Sequence, residues 1–257
     1  AMGPLGWIVL CAVSARTAAM AFNRLVARDI DAANPRTVGR ELPSGALAVG
    51  YARALVLVSS GIFIAGAFAL NDLAGWLSPA VLAVLLGYSY VKRFSAAVHL
   101  VLGVALGLAP LGAWIAVRGD FAGDLVPVLL LFCTVWTWVA GFDLIYACQD
   151  AEFDAGRGLH SIPAKLGVGG ALRVSRVLHV LTALSLALLA WRADTGVVFW
   201  ISCVAAVGLL CWEQSLVRED DLSRVDVAFF TINGWVGVAL FLGLALDMAL
   251  RSGDAVG

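Results

Sequence analysis

The chain has 257 residues, 61% of them hydrophobic, and a mean hydropathy of +0.93. Soluble domains are only about half apolar, so this composition excludes one and defines a polytopic membrane protein whose first partner is the lipid bilayer. The net charge of −1 points to no charged partner, and nucleic acid is not expected.

About eight apolar runs are long enough to cross a bilayer core, near 4–24, 46–70, 74–91, 97–117, 125–147, 172–192, 195–213 and 227–250. Lipid offers no hydrogen-bond partners, so these spans are expected to be helices. They lack the period-2 alternation of barrel strands. The expected fold is all-α, a bundle of transmembrane helices forming a single domain over 1–257. The opening AMGPLGWIVLCAV has no basic n-region, so a cleaved signal peptide is not indicated. The chain is expected to begin inside or just before a helix of a longer parent.

The first run ends in NRLVARDIDAANPRT, residues 23–37. Asn23, Ala27 and Asp31 recur at i, i+4, i+8, near one helical face. Asn23 and Asp31 offer oxygen ligands to a hard cation. Asp29 falls about 120° away from that face. Arg28, Arg36 and Arg40 have the fork geometry that suits phosphate oxygens. A solvated basic loop that only sets topology is the plainer alternative. The third run ends in Tyr88, Lys92 and Arg93. Lys92 follows Tyr88 by one turn, so both can face one cavity. Alone these would be interfacial anchors; beside acidic segments they read as a diphosphate clamp.

The fifth run ends in DLIYACQDAEFDAGRGLHS, residues 143–161. Asp150 and Asp154 are one turn apart, and two carboxylates on one face repel unless a cation lies between them. That spacing fits Mg²⁺ chelation. Asp143 and Tyr146 precede them, with Asp143 deeper in the membrane. His160 and Ser161 follow in a Gly-rich loop and are candidates for a substrate pocket. A loop histidine is more often a simple hydrogen-bonding group. Asn233, a lone amide in the last span, reads first as an interhelical hydrogen bonder and second as a pocket residue. Both acidic segments start at the end of an apolar run and precede the longest polar loops. Intramembrane ionisable groups are site hypotheses by default, and this loose repeat suggests two halves sharing one site for Mg²⁺ and a diphosphate.

Taking alternate loops as one side, twelve Lys and Arg lie with the acidic segments, from Arg24 to Arg224; only Arg118, Arg192 and Arg251 lie opposite. The positive-inside rule makes the first side cytoplasmic. The expected location is a bacterial-type inner (plasma) membrane. The five cysteines, Cys11, Cys133, Cys148, Cys203 and Cys211, are dispersed in apolar runs and read as small hydrophobes, with neither disulfides nor zinc expected.

These residues resemble the UbiA superfamily of intramembrane prenyltransferases, over nearly the whole chain. The family's second motif has its counterpart in Asp143, Tyr146, Asp150 and Asp154. Its YxxxKR element is similar to Tyr88, Lys92 and Arg93, and its G-x-x-S segment to GLHS at 158–161. The wording around RTAAMAFNRL, IDAANPRT, ELPSG and YACQDAEFD further resembles the 4-hydroxybenzoate polyprenyltransferase-like, menaquinone (futalosine-route) branch. The resemblance implies Mg²⁺-dependent prenyl transfer from a polyprenyl diphosphate to an aromatic acid acceptor in quinone biosynthesis. It implies Asn23, Asp31, Asp150 and Asp154 as metal ligands. Arg28, Arg36, Arg40, Tyr88, Lys92 and Arg93 would hold the diphosphate, with Asp143 or Tyr146 acting on the acceptor. Two departures stand out. The family's first motif, NxxxDxxxD, has Asp where this chain has Ala27. The family has nine helices, so the eight spans here would be its second to ninth. Ala27 keeps open a weakly active or inactive homologue that binds isoprenoid diphosphate. Other acceptors, such as haem, a chlorophyll precursor or a glycerol phosphate, are the alternative that the motif wording disfavours. A transporter is disfavoured, because its charges would gather near the bilayer midplane.

Overall fold

A computed structural model describes residues 3–254. Among the described residues helix accounts for 81%, and no β-strand is found. The helices are α1 (Pro4–Val26), α2 (Arg28–Ala33), α3 (Val49–Leu70), α4 (Asp72–Val91), α5 (Val98–Arg118), α6 (Val126–Ala147), α7 (Ala151–Gly156), α8 (Ile162–Arg192), α9 (Val197–Leu216) and α10 (Asn233–Asp254). A 3₁₀ turn, Cys148–Asp150, joins α6 to α7, and a π-helical turn, Val227–Ile232, leads into α10. Eight of these segments are long and apolar enough to cross a membrane. The chain is an all-α integral membrane protein. Leu57, Trp76, Trp191 and Phe241 point outward, as side chains solvated by lipid do.

Two spans differ in extent from the expectation. The fifth runs from Val126 to Gly156, because the 3₁₀ turn and α7 continue α6 beyond the apolar run. The sixth begins at Ile162, not near 172. Ser161 caps it, its side chain accepting from the Ala164 amide at 3.2 Å, and Pro163 sits in the first turn. Gly167, at φ 70° and ψ 173°, then breaks the helix. A left-handed φ is open to glycine without steric cost. Hydropathy misses the polar turn before this kink because helix formation there depends on a cap, not on apolar periodicity.

The chain divides into two compact units: Ala1–Val98 with Leu108–Gly123, and His99–Gly107 with Asp124–Gly257. In the first, α1 packs mainly on α3 and also on α4. Asn71 caps α4, accepting from the Ala74 amide, and its own amide donates to the Ile115 and Ala116 carbonyls at 2.9 and 3.2 Å. In the second, α6 packs on α8 and α9 on α10, around a core that includes Leu186, Phe199, Cys203, Leu210 and Ile232.

Candidate active site

In the first unit the expected single helical face of Asn23, Ala27 and Asp31 is interrupted. Helix α1 ends at Val26, and Ala27 (φ −87°, ψ 0°) is the junction with α2. The Asp31 amide still donates to the Ala27 carbonyl at 2.7 Å, so the helical course is nearly kept. Asn23 donates to the Ser89 hydroxyl on α4 at 3.4 Å. Asp31 is buried and pairs with Arg40 at 2.7 Å, while its second carboxylate oxygen is buried with no hydrogen-bond partner among the described residues. A buried charge needs such a cation. The loop that carries Arg40 is ordered locally. Asn34 accepts from the Arg36 amide, and the Thr37 hydroxyl donates to the Asp31 carbonyl.

Asp29 points away and meets Arg93, at 2.7 Å to one oxygen and 3.1 Å to the other. Arg93 also donates to the Val26 carbonyl at 2.6 Å, capping the end of α1. Its hydrogen bond holds the Asp29 carboxyl below the usual carboxylate range, and raises the guanidinium in turn. Arg28 and Arg36 are exposed, and Tyr88 and Lys92 are partly buried.

In the second unit, Asp150 closes the 3₁₀ turn and Asp154 lies one turn on in α7; both are buried, Asp154 completely. On α6, Asp143 and Tyr146 are partly buried and flank the fully buried Leu144 and Ile145. Tyr146 belongs to an aromatic wall with Phe142, Phe229 and Phe230, its ring centroid 4.3 Å from that of Phe229. Aromatic faces attract cations, more strongly where water is excluded. His160 is partly buried, and Ser161 is fully buried as the cap of α8. A separate cavity of about 260 Å³ in this unit is lined by Gly169, Leu172, Arg173, Arg176, Arg218 and Glu219, none of them from the acidic motif.

Two buried polar sets were not foreseen. His99 of α5, almost fully buried, lies 2.7 Å from the Asp143 carboxylate through Nδ1. Deeper in the bundle, Asn233 accepts from Trp138 Nε1 at 2.6 Å and donates to Glu213 at 2.9 Å. Gln214 bridges Ser175 and His179 beside them. Asn233 thus has the interhelical role expected first. The signal in the sequence was an ionisable residue inside an apolar run, at His99, His179 and Glu213.

Among the described residues, no three His, Cys, Asp or Glu groups converge closely enough to hold a metal ion. The carboxylates are nonetheless hard oxygen donors, and Mg²⁺ is commonly held by one or two carboxylates together with substrate phosphates. In the second unit Asp150 and Asp154, buried and one turn apart, fit that mode; in the first, taken by itself, Asp31 offers a buried oxygen without a hydrogen-bond partner among the described residues.

Helices long and apolar enough to cross a membrane carry buried carboxylates at or just beyond their ends. Residues 2–235 match the UbiA prenyltransferase family, and the chain belongs to it. It is a prenyltransferase. It is 30% identical to the 4-hydroxybenzoate octaprenyltransferase of Sodalis glossinidius, over 96% of this chain and 84% of that one. Against the 4-hydroxybenzoate octaprenyltransferase of Pseudomonas aeruginosa (strain UCBPP-PA14) it is 32% identical, covering 95% and 80%. Among solved structures it is similar to the apo structure of a UbiA homolog from Aeropyrum pernix K1, with a TM-score of 0.86, 36% identity and coverage of 94% and 88%. A UbiA homolog from Archaeoglobus fulgidus bound to GPP and Mg²⁺ shares the fold, with a TM-score of 0.66, 18% identity and coverage of 94% and 87%.

Proposed function

We infer that this chain transfers a polyprenyl group from an isoprenoid diphosphate to an aromatic acid, in a Mg²⁺-dependent step of quinone (menaquinone or ubiquinone) biosynthesis. The observation that carries the reading is the buried pair Asp150 and Asp154, which follows Asp143 and Tyr146 on one helical course. Relatives at 30 and 32% identity that are 4-hydroxybenzoate octaprenyltransferases support the aromatic acid as acceptor class.

Asp150 and Asp154 in the second unit, and by themselves Asn23 and Asp31 in the first, are the oxygen donors that would hold the cation. When bound, Mg²⁺ supplies charge to the diphosphate leaving group. Lys92, Arg28, Arg36 and Arg40 add cationic donors for phosphate oxygens, and Tyr88 a hydroxyl. Arg40 neutralises Asp31 in this structure and would be a further donor to phosphate oxygens if that carboxylate held the cation. Arg93, already engaged by Asp29 and Val26, orders the end of α1 as well as adding charge nearby. The rings of Phe142, Tyr146, Phe229 and Phe230 shield the allylic cation from water and stabilise it by their faces. Ser161 orders the start of α8, and His160 lies beside it for the acceptor. The excess of Lys and Arg in the loops beside the acidic segments supports a cytoplasmic side of an inner membrane for them.

Ala27 supports a second reading, a slow homologue that binds isoprenoid diphosphate. It occupies the first-motif position where the family carries Asp, and it is only partly buried. The test incubates membranes bearing the chain with a polyprenyl diphosphate and a panel of hydroxylated aromatic acids, with Mg²⁺ or EDTA. Asp154→Asn and Ala27→Asp are run alongside. Prenylated product that needs Mg²⁺ and drops at least ~100-fold in Asp154→Asn is expected. Diphosphate binding with no product from any version would favour the slow homologue. Transfer insensitive to EDTA would overturn the metal assignment.

A further inference from the structure

The partner of Asp143 is absent from the site as drawn from the sequence. Residues 99–107 of α5 run antiparallel to α6 in tight register. Gly107 faces Phe132, and Gly103 faces Trp136 and Ala140. Trp136 Nε1 donates to the Leu100 carbonyl at 3.0 Å. One turn beyond Gly103, this register brings His99 to Asp143, where Nδ1 meets one carboxylate oxygen at 2.7 Å. The approach depends on glycine. A Cβ on Gly103 would lie 2.4 Å from the Trp136 carbonyl oxygen, closer than real Cβ atoms come.

The two partners are unequally buried. The His99 side chain is 5% exposed and Asp143 is 20% exposed. The carboxylate is the accessible member, and the imidazole stands behind it. Nε2 of His99 is buried without a hydrogen-bond partner among the described residues. A histidine kept for structure alone would be expected to use both ring nitrogens, since buried polar groups are nearly always paired. Here only the nitrogen facing Asp143 is engaged. With the proton on Nδ1, the imidazole donates to the carboxylate and fixes its orientation. Asp143 lies next to Phe142 and one turn before Tyr146, both in the aromatic wall. Two turns further along the chain is Asp150.

Prenylation of an aromatic ring needs a base at such a place. The C–O bond of the donor breaks and its electron pair leaves with the diphosphate. A ring π pair forms the new C–C bond. The ring C–H bond then breaks, its pair restores aromaticity, and the proton must go to a carboxylate or similar acceptor. We propose that His99 is the positioning residue of Asp143, holding the carboxylate already read as acting on the acceptor so that it takes this ring proton. The inference rests on the prenyl-transfer reading above and adds the holder of its base.

The test compares wild type, His99→Leu and His99→Asn in membranes, with acceptor that is protiated or deuterated at the ring carbon that is alkylated. Gel filtration in detergent establishes that each variant is folded. In His99→Asn the new side-chain amide nitrogen would sit where the imidazole Nδ1 does and can donate the same bond. For His99→Leu, kcat falls ~10-fold or more, while KM for the polyprenyl diphosphate stays within about twofold. Deuterium slows His99→Leu but not wild type, because ring deprotonation has become limiting. His99→Asn regains most of the rate. The inference is overturned by a leucine variant at wild-type kcat, by a loss of rate with no ring isotope effect, or by an asparagine variant no better than leucine. Wild type that transfers no prenyl group with Mg²⁺ overturns the functional reading itself, and the inference with it. An active wild type beside an indifferent His99→Leu overturns the inference alone.

Discussion

Three glycines of α5 form a graded series that tests how closely α5 and α6 are packed. A Cβ at Gly112 would meet nothing within 4 Å. At Gly107 it would meet the Phe132 ring at 2.9 Å and its carbonyl oxygen at 3.1 Å. At Gly103 it would meet the Trp136 carbonyl oxygen at 2.4 Å and the indole at 2.7 Å. Each Gly→Ala change gains the same helix propensity, about 1 kcal/mol, so differences within the series isolate packing. A phenyl ring can turn aside, but a backbone carbonyl inside a helix cannot. Restoring ordinary contact at Gly103 moves the helices apart by about 1 Å, and overpacking of this kind costs about 1–3 kcal/mol. With about 2–4 °C per kcal/mol for a chain of this size class, Gly103→Ala should melt roughly 2–12 °C below Gly112→Ala, with Gly107→Ala between them. Thermal unfolding in one detergent at one scan rate reads this directly. The same helix separation would pull His99 from Asp143, so activity should fall in the same order. If Gly103→Ala and Gly112→Ala melt together, the close α5–α6 approach is wrong, and the register that delivers His99 goes with it.

Other predictions follow from single contacts. Asn233→Leu strips the Trp138 and Glu213 hydrogen bonds inside the bundle and should cost about 2–5 kcal/mol, whereas Glu213→Gln keeps an acceptor for Asn233 and should melt within a few degrees of wild type. The pair of Asp29 with Arg93 is exposed, Asp29 by 66%, so Asp29→Asn should cost less than ~0.5 kcal/mol at neutral pH. Because the folded carboxyl titrates below its ordinary value of 3.8, that contribution is complete above 3.8 and is lost as pH falls through the depressed value. The melting difference between wild type and Asp29→Asn should therefore be flat from pH 8 to about 5; a difference that disappears in that window would contradict the assignment. Ala27→Asp should raise Mg²⁺-dependent turnover, since it returns a carboxylate between Asn23 and Asp31; an unchanged rate in membranes would show that this position does not limit the cation site.

The sequence by itself determined the membrane class, the eight spans and the acidic segments. Twenty or so apolar residues in a row leave the backbone no choice but helix in lipid. Spacing of one turn makes neighbours of Asp150 and Asp154 wherever the chain folds as helix. Both are local properties, read from residues a few positions apart. Local reading failed where a single backbone angle or cap decides, at the Ala27 junction and the Gly167 kink. The tertiary structure alone decided partners. His99 meets Asp143 across 44 positions of sequence, and Asn233 meets Trp138 across 95. Arg40 and Arg93 both read as phosphate donors, yet one neutralises buried Asp31 and the other caps α1 beside Asp29. A side chain's charge is written in its identity, but which charge answers it depends on how helices pack, and at Gly103 that turns on one missing methyl group.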